Sequence, residues 1–344
     1  MRDPFRLVGV LTLVFALVFM TLVVACVTLT DPVTEVTDGE GALHLSGLCF
    51  GPYLPNQSPD TTGPLPPEQI RSRLGVIAHS TDWIRSYGND NGLDLIGPFS
   101  HELGKRAAVG AWLSRNRTAN EQQIASLIRI GQAGEADVLI VGSETLLRGD
   151  LTETELLGYI ERVREAVPTM PITTAETYNM YLHHPALFDA VDQVYVHIYP
   201  FWDGVGIDAA VPAVDDAYSR VRQQARSKPV VVAETGWPSA GRPNGNAVPS
   251  MENAERYFGE FTAWAASNHV RYFYFEAFDE AWKTHDEGEV GAHWGLWDQD
   301  GRPKVRALAG WTAQGNVTPS PSSIVRPLVT PGMKVFDWSR LKVQ

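Results

Sequence analysis

Two glutamates stand where uninterrupted apolar runs end. Val138-Leu139-Ile140-Val141-Gly142-Ser143 leads into Glu144, and Val230-Val231-Val232-Ala233 leads into Glu234, followed by Thr235-Gly236-Trp237-Pro238-Ser239. Two carboxylates flanking one bond are what glycosidic cleavage requires. One protonates the leaving oxygen, and the other attacks the anomeric carbon or activates water. The competing account is that each acid caps the next helix or pairs with a nearby arginine such as Arg148. Two such acids, each at the end of an apolar strand and set among aromatics, favour a cleft instead.

The residues around them favour sugar. Tyr87, Tyr178, Tyr199, Phe201, Trp202, Trp237, Phe278, Trp282 and Trp294 all follow candidate strands. Pyranose rings present flat C–H faces that stack on aromatic rings. Aromatics in loops that face water are harder to explain as core. His183, His184 and His197 lack an acid cluster at ligand spacing, so neither a metal nor another cofactor is expected. His197 reads as a hydrogen-bonded inward residue of the sixth strand.

These residues need a frame that brings strand ends together. Short β-type runs at 45–51, 82–87, 107–113, 137–142, 172–177, 194–199, 230–233 and 272–278 alternate with helical patterns. Several are continuously apolar, as strands covered on both faces should be. Thr118/Glu121 and Thr152/Glu155 have capping-box spacing ahead of apolar helical stripes, and Gly134 ends the first of these helices. Eight βα units in about 270 residues predict an α/β fold, a (β/α)8 TIM barrel, whose chemistry lies at the C-terminal ends of the strands. A doubly wound sheet is the rival, but no Gly-x-Gly-x-x-Gly turn follows the first run.

The chain has 344 residues, with 40 acidic and 28 basic, a formal charge of −12. That balance argues against a nucleic-acid partner. Two cysteines make no disulfide framework. Leu7–Thr30 carries no charge and is long enough to span a bilayer as a helix. Arg2 and Arg6 precede it, acids follow, and no further basic residue appears before Arg71. The segment therefore predicts a transmembrane or signal-anchor helix, single-pass, with the rest of the chain outside the cytoplasm. A cleaved signal peptide and a lipid anchor at Cys26, in Val23-Val24-Ala25-Cys26, stay open, and both also export the chain. The expected organisation is an anchor at 1–30, a linker at 31–43, the barrel at 44–314 and a Pro/Ser-rich tail at 315–344, in a monomer.

Val231-Val232-Ala233-Glu234-Thr235-Gly236-Trp237-Pro238-Ser239 resembles the signature of glycoside hydrolase family 17, the β-1,3-glucanases and glucan glucosyltransferases. Val141-Gly142-Ser143-Glu144 with Leu147-Arg148-Gly149-Asp150, His197-Ile198-Tyr199-Pro200 and Phe278-Asp279-Glu280-Ala281-Trp282-Lys283 agree in order. Gly291-Ala292-His293-Trp294-Gly295-Leu296 and Gly51-Pro52-Tyr53 resemble its bacterial branch. The resemblance implies a retaining enzyme acting on β-1,3-glucan, with Glu144 as acid/base and Glu234 as nucleophile. It further implies a supporting set of Glu280, Lys283 and Glu289, and sugar contacts from Tyr87 and Tyr199. Hydrolysis is the default, and transfer to a second glucan or a non-catalytic glucan-binding protein are the alternatives. One departure is Ser143, where related barrels carry an asparagine that donates to the substrate 2-hydroxyl; the shorter serine weakens that contact or relays it through water.

Overall fold

The computed structural model describes residues 44–309. Eight parallel strands close into a barrel in sequential order. They are β1 (Leu45–Cys49), β2 (Thr81–Arg85), β3 (Arg106–Ala111), β4 (Val138–Ser143), β5 (Ile172–Thr177), β6 (Val194–His197), β7 (Val230–Thr235) and β8 (Arg271–Tyr274). Helices follow the strands: α1 (Pro67–Ile77), α2 (Ile96–Glu102), α3 (Arg117–Ala133), α4 (Glu153–Ala166), α5 (Tyr178–His183), α6 (Ala186–Ala190), α7 (Ile207–Ala225) and α8 (Met251–Ser267). Beyond β8 come the short helices α9 (Thr284–Glu287) and α10 (Arg306–Ala309), with 3-10 turns around α9.

Every residue of β4 and of β7 is buried, because the barrel interior covers one face and the helices the other. All eight predicted runs became strands, most of them shorter at the C-terminal end than the apolar patterns suggested.

The two predicted capping boxes met different fates. Thr152 accepts from the Glu155 amide while the Glu155 carboxylate accepts from the Thr152 amide, so that box starts α4. The Thr118/Glu121 pair caps nothing. Asn116 takes the position, accepting from the Ala119 amide, because α3 begins at Arg117 and leaves Thr118 already inside the first turn. Gly134 closes α3 with φ 69°, as the sequence pattern implied.

Pairing registers shift at β4–β5, β6–β7 and β7–β8, each toward the C-terminal end. Such bulges bend a strand and re-aim its side chains. Among the described residues no helix is long and apolar enough to cross a membrane. The expected anchor Leu7–Thr30 and the 315–344 tail lie outside the described residues.

Candidate active site

Glu234 comes up the wall of the barrel on β7 and is held from three sides. Arg85 Nη1, at the end of β2, donates to Glu234 Oε1 at 2.7 Å and to the Ala233 carbonyl at 2.7 Å. Tyr199 Oη donates to Glu234 Oε2 at 2.8 Å. His197 Nε2 lies 3.1 Å from Glu234 Oε1. Burial alone would push this carboxyl up. His197, Arg85 and the hydroxyls of Tyr199 and Tyr87 outweigh it and hold Glu234 below its ordinary range. The same burial, reinforced by the Glu234 charge, drives the Tyr199 phenol well above its usual range, so Tyr199 stays a donor.

Glu144 follows directly after β4 and has φ 54°, in the left-handed region that few non-glycine residues adopt. Gly142 at φ 78° begins the turn; a Cβ there would sit 2.8 Å from the Thr145 side chain. The Glu144 amide donates to the Ala175 carbonyl at 2.8 Å, and its own carbonyl accepts from the Arg148 amide at 3.0 Å. The turn leaves the Glu144 side chain about a quarter exposed, facing His197, whose Nδ1 is 2.6 Å from Glu144 Oε1. One carboxylate oxygen of Glu144, one of Glu234 and a ring nitrogen of His197 all lie within 4.8 Å of one another. This trio is also the set, among the described residues, whose donors could hold a metal ion. Arg85 already supplies a positive charge to it.

Ser143 does not stand free in place of an amide. Its hydroxyl accepts from Arg85 Nη2 at 3.1 Å, so the serine belongs to the hydrogen-bond net behind Glu234. Its remaining O–H is the one donor it has left.

The supporting charges form a second buried cluster. Lys283 bonds Glu276 and, at 2.8 Å, Glu280, with all three side chains under a tenth exposed. Glu276 and Glu280 together keep Lys283 well above its ordinary range despite burial, which opposes its charge. Lys283 Nζ also lies 4.4 Å from the Phe275 ring centroid. Glu289, expected in this set, is elsewhere: its carboxylate is 56% exposed and pairs with Arg242 at 3.0 Å. The inward acid on that segment is Glu287, which accepts from Trp294 Nε1 at 2.7 Å. Burial, with the charges of Glu234 and Glu144 adding to it, pushes Glu287 up to about 7 against the pull of Lys283.

The aromatic residues divide. Tyr199, Phe275 and Trp294 meet at centroid separations of 5.5–5.8 Å, with Trp202 packed on Trp294 and Tyr87 on Phe275. Trp282 packs edge-on to Tyr53, and Tyr178 donates to Asp203 at 3.3 Å. Trp237, Phe278 and Trp294, expected to meet sugar, are core residues, each only 1% exposed: Trp237 donates to the Val248 carbonyl, the Arg73 guanidinium covers the Phe278 ring at 3.4 Å, and Trp294 is tied to Glu287. Their bulk fills the space behind the loops, where a sugar cannot reach.

Sequence reasoning passed over Arg85, Glu276, Glu287 and Trp112. Arg85 carried a usable signal, since an arginine inside a buried strand must find a carboxylate. Trp112, just beyond β3, is 42% exposed, with the Arg148 guanidinium 4.3 Å from its ring centroid. Arg148 is itself fixed by the Ser143 and Leu113 carbonyls and Asp150.

Known proteins share this architecture. A family profile described as the BtgE/BtgC glycoside hydrolase domain matches residues 47–295. A glucan 1,3-beta-glucosidase of Arthroderma benhamiae is 32% identical over 253 residues, which cover 67% of this chain and 80% of that protein. A putative glucan endo-1,3-beta-glucosidase of Aspergillus niger is 28% identical over 268 residues, 68% of this chain but 39% of that protein. The glycoside hydrolase family 17 beta-1,3-glucanosyltransferase of Rhizomucor miehei superposes with a TM-score of 0.68 at 28% identity, over 77% of this chain and 98% of that one. These relatives are fungal, so they give no support to the bacterial branch that the Gly291–Leu296 stretch resembles. With the profile spanning most of the barrel and a relative above 30% identity, the chain belongs to the BtgE/BtgC glycoside hydrolase family, within glycoside hydrolase family 17, and is a glycosidase.

Proposed function

We propose that this barrel cleaves β-1,3-glucan with retention of configuration, Glu234 acting as nucleophile and Glu144 as acid/base. The observation that carries the reading is the approach of the two carboxylates, one oxygen of each within 4.8 Å of the other. Retaining pairs stand about 5 Å apart, whereas an inverting pair needs roughly 6.5–9.5 Å to admit water between them. The environments differ in the sense the two roles need. Arg85 and Tyr199 hold Glu234 ionised and aimed, and Glu144 stands at the open side where a leaving oxygen can take its proton. Charge on Glu234 is consumed as its bond to the anomeric carbon forms, and Glu144 then takes a proton from the incoming hydroxyl.

The linkage comes from the relatives, named as glucan 1,3-beta-glucosidases and a beta-1,3-glucanosyltransferase, the latter also known as an active-site mutant bound to laminaritriose. The likeness to the transferase favours a second reading, in which a glucan chain replaces water in the second step. Incubation with laminari-oligosaccharides tests both: shorter products mean hydrolysis, longer ones transfer, and unchanged chains defeat both. Tyr199 and Trp202 are the aromatic surfaces for the sugar in this reading, with Tyr87, Tyr178 and Trp282 as further half-buried rings and Glu280 and Lys283 as the supporting charges. A 2-deoxy-2-fluoro laminaribioside should label Glu234, and labelling of another residue refutes its role. We further propose that Leu7–Thr30 tethers a monomeric enzyme at the outer face of the cell membrane. Membrane fractionation of the full chain beside Cys26→Ser separates a spanning helix, retained in both, from a lipid anchor, lost in the variant.

A further inference from the structure

We propose that Glu176 is the positioning residue of the proton-transfer step: from the end of β5, its carboxylate clamps the turn that aims Glu144. Glu176 Oε1 accepts from the Leu146 amide at 2.8 Å and from the Thr145 hydroxyl at 3.1 Å. Those two residues come directly after Glu144. The Glu144 amide is held by the carbonyl of Ala175, the neighbour of Glu176 in β5. Both ends of the acid/base residue are thus tied to one strand, across the β4–β5 register shift. A left-handed residue such as Glu144 persists only where its surroundings fix it, and Glu176 supplies that constraint.

Capping the turn does not by itself call for a carboxylate. The side chain is completely buried, and its Oε2 has no hydrogen-bond partner. An amide would accept the same two bonds without the cost of a buried acid. What the acid adds is a proton that can leave. The titratable groups that face it are Glu144 on the β4 side, Arg148 in the turn and Tyr181 on α5. Burial, with the Glu144 charge adding to it, pushes Glu176 up to about 7, against the Leu146 amide, the Thr145 hydroxyl and Arg148. Charge on Glu176 and charge on Glu144 disfavour each other. The clamp sets geometry through the two bonds that Oε1 accepts, and charge on Glu176 strengthens both.

The proposal rests on Glu144 as acid/base, and leaving-group dependence tests it. Glu176→Ala should slow cleavage of laminaripentaose about 10–100-fold, the penalty of a misaimed group. Its rate of glycosylation by a dinitrophenyl β-laminaribioside, which leaves without proton assistance, should stay within about threefold of the parent. Glu176→Gln keeps the acceptor, so it should restore most of the laminaripentaose turnover that Glu176→Ala loses. Equal slowing on both substrates means a structural role only and overturns the proposal, as does a Glu176→Gln variant no faster than Glu176→Ala on laminaripentaose. If Glu176→Ala does not fold, the same two-substrate comparison on Thr145→Val, which removes one of the two donors to Glu176, decides in its place: unequal slowing supports the clamp and equal slowing overturns it. Glu144→Ala is measured in parallel. If it lacks the leaving-group dependence, the assignment of Glu144 has failed and the proposal falls with it; if it shows the dependence and Glu176→Ala does not, only the clamp is refuted.

Discussion

Arg85 and Glu234 form an ion pair at 2.7 Å with side chains only 1% and 8% exposed, far from solvent for two full charges. Removing one partner of such a pair leaves the other charge uncompensated, which costs about 3–5 kcal/mol. Arg85→Met should therefore lower the melting temperature by several degrees, roughly 10 °C on the size scaling of thermal unfolding. It should also move the acid limb of kcat/KM to higher pH, because Glu234 loses a group that holds its carboxyl down. In the parent, the folded carboxyl binds its proton less tightly than the unfolded one. Its stabilising contribution is thus present above about pH 4 and is lost as pH falls through the folded value. Chemical denaturation between pH 3 and 6 measures the stability effect and kcat/KM–pH profiles of parent and variant the kinetic one; an unchanged acid limb assigns the nucleophile elsewhere.

Glu234→Ala should abolish glucan cleavage while the aromatic cleft still binds oligosaccharide. Azide should restore turnover of a glucoside with a good leaving group and give a glycosyl azide of inverted configuration. In Glu144→Ala the azide product should have retained configuration, because the covalent intermediate still forms. Product stereochemistry by NMR decides; wild-type turnover in both variants removes both residues from the mechanism.

Lys283 joins Glu276 and Glu280 in a cluster whose side chains are each under a tenth exposed. Lys283→Met leaves two buried acids facing each other and should destabilise the protein by about 3–5 kcal/mol. The double variant Lys283→Met/Glu276→Gln removes one of those charges and should recover part of the loss. Urea denaturation of the parent, Lys283→Met, Glu276→Gln and the double variant measures the coupling, and simple additivity would show that the pair does not act as a unit.

Trp112 offers an aromatic face that the Arg148 guanidinium holds in place. One stacking contact is worth about 0.5–1.5 kcal/mol. Trp112→Ala should lower kcat/KM about 2- to 10-fold on long laminari-oligosaccharides, with little change on laminaribiosides. Equal losses at all chain lengths would mean that the ring supports the turn instead of touching glucan.

The barrel was legible because its signal is redundant: eight apolar runs, each followed by a polar helix, repeat one rule. Glu144 and Glu234 were legible for a local reason, since each ends an uninterrupted apolar strand. What the sequence hid depends on distance through space. Arg85 is 149 residues from Glu234 in the chain, and no spacing rule links them. Glu289 and Glu287 differ by two positions on a short turn, and only its winding decides which acid points inward. Trp237 stands beside Glu234 in a motif, yet the chain buries it to pack Phe201 and Tyr257. Adjacency in a motif therefore says little about which side chain meets the ligand.

The register shifts all fall on one arc of the barrel, β4–β5, β6–β7 and β7–β8, while β1 through β4 pair without interruption. Each shift leaves an extra residue outside the ladder beside Glu144, His197 or Glu234. The wall opposite is an unbroken hydrogen-bonded fabric. Amide exchange should divide along this seam, slowest across β1–β4 and faster at the shifted ends. Loop insertions and chain breaks should accordingly be tolerated less well where they unpick the regular arc, which keeps its shape while the other bends to aim the chemistry.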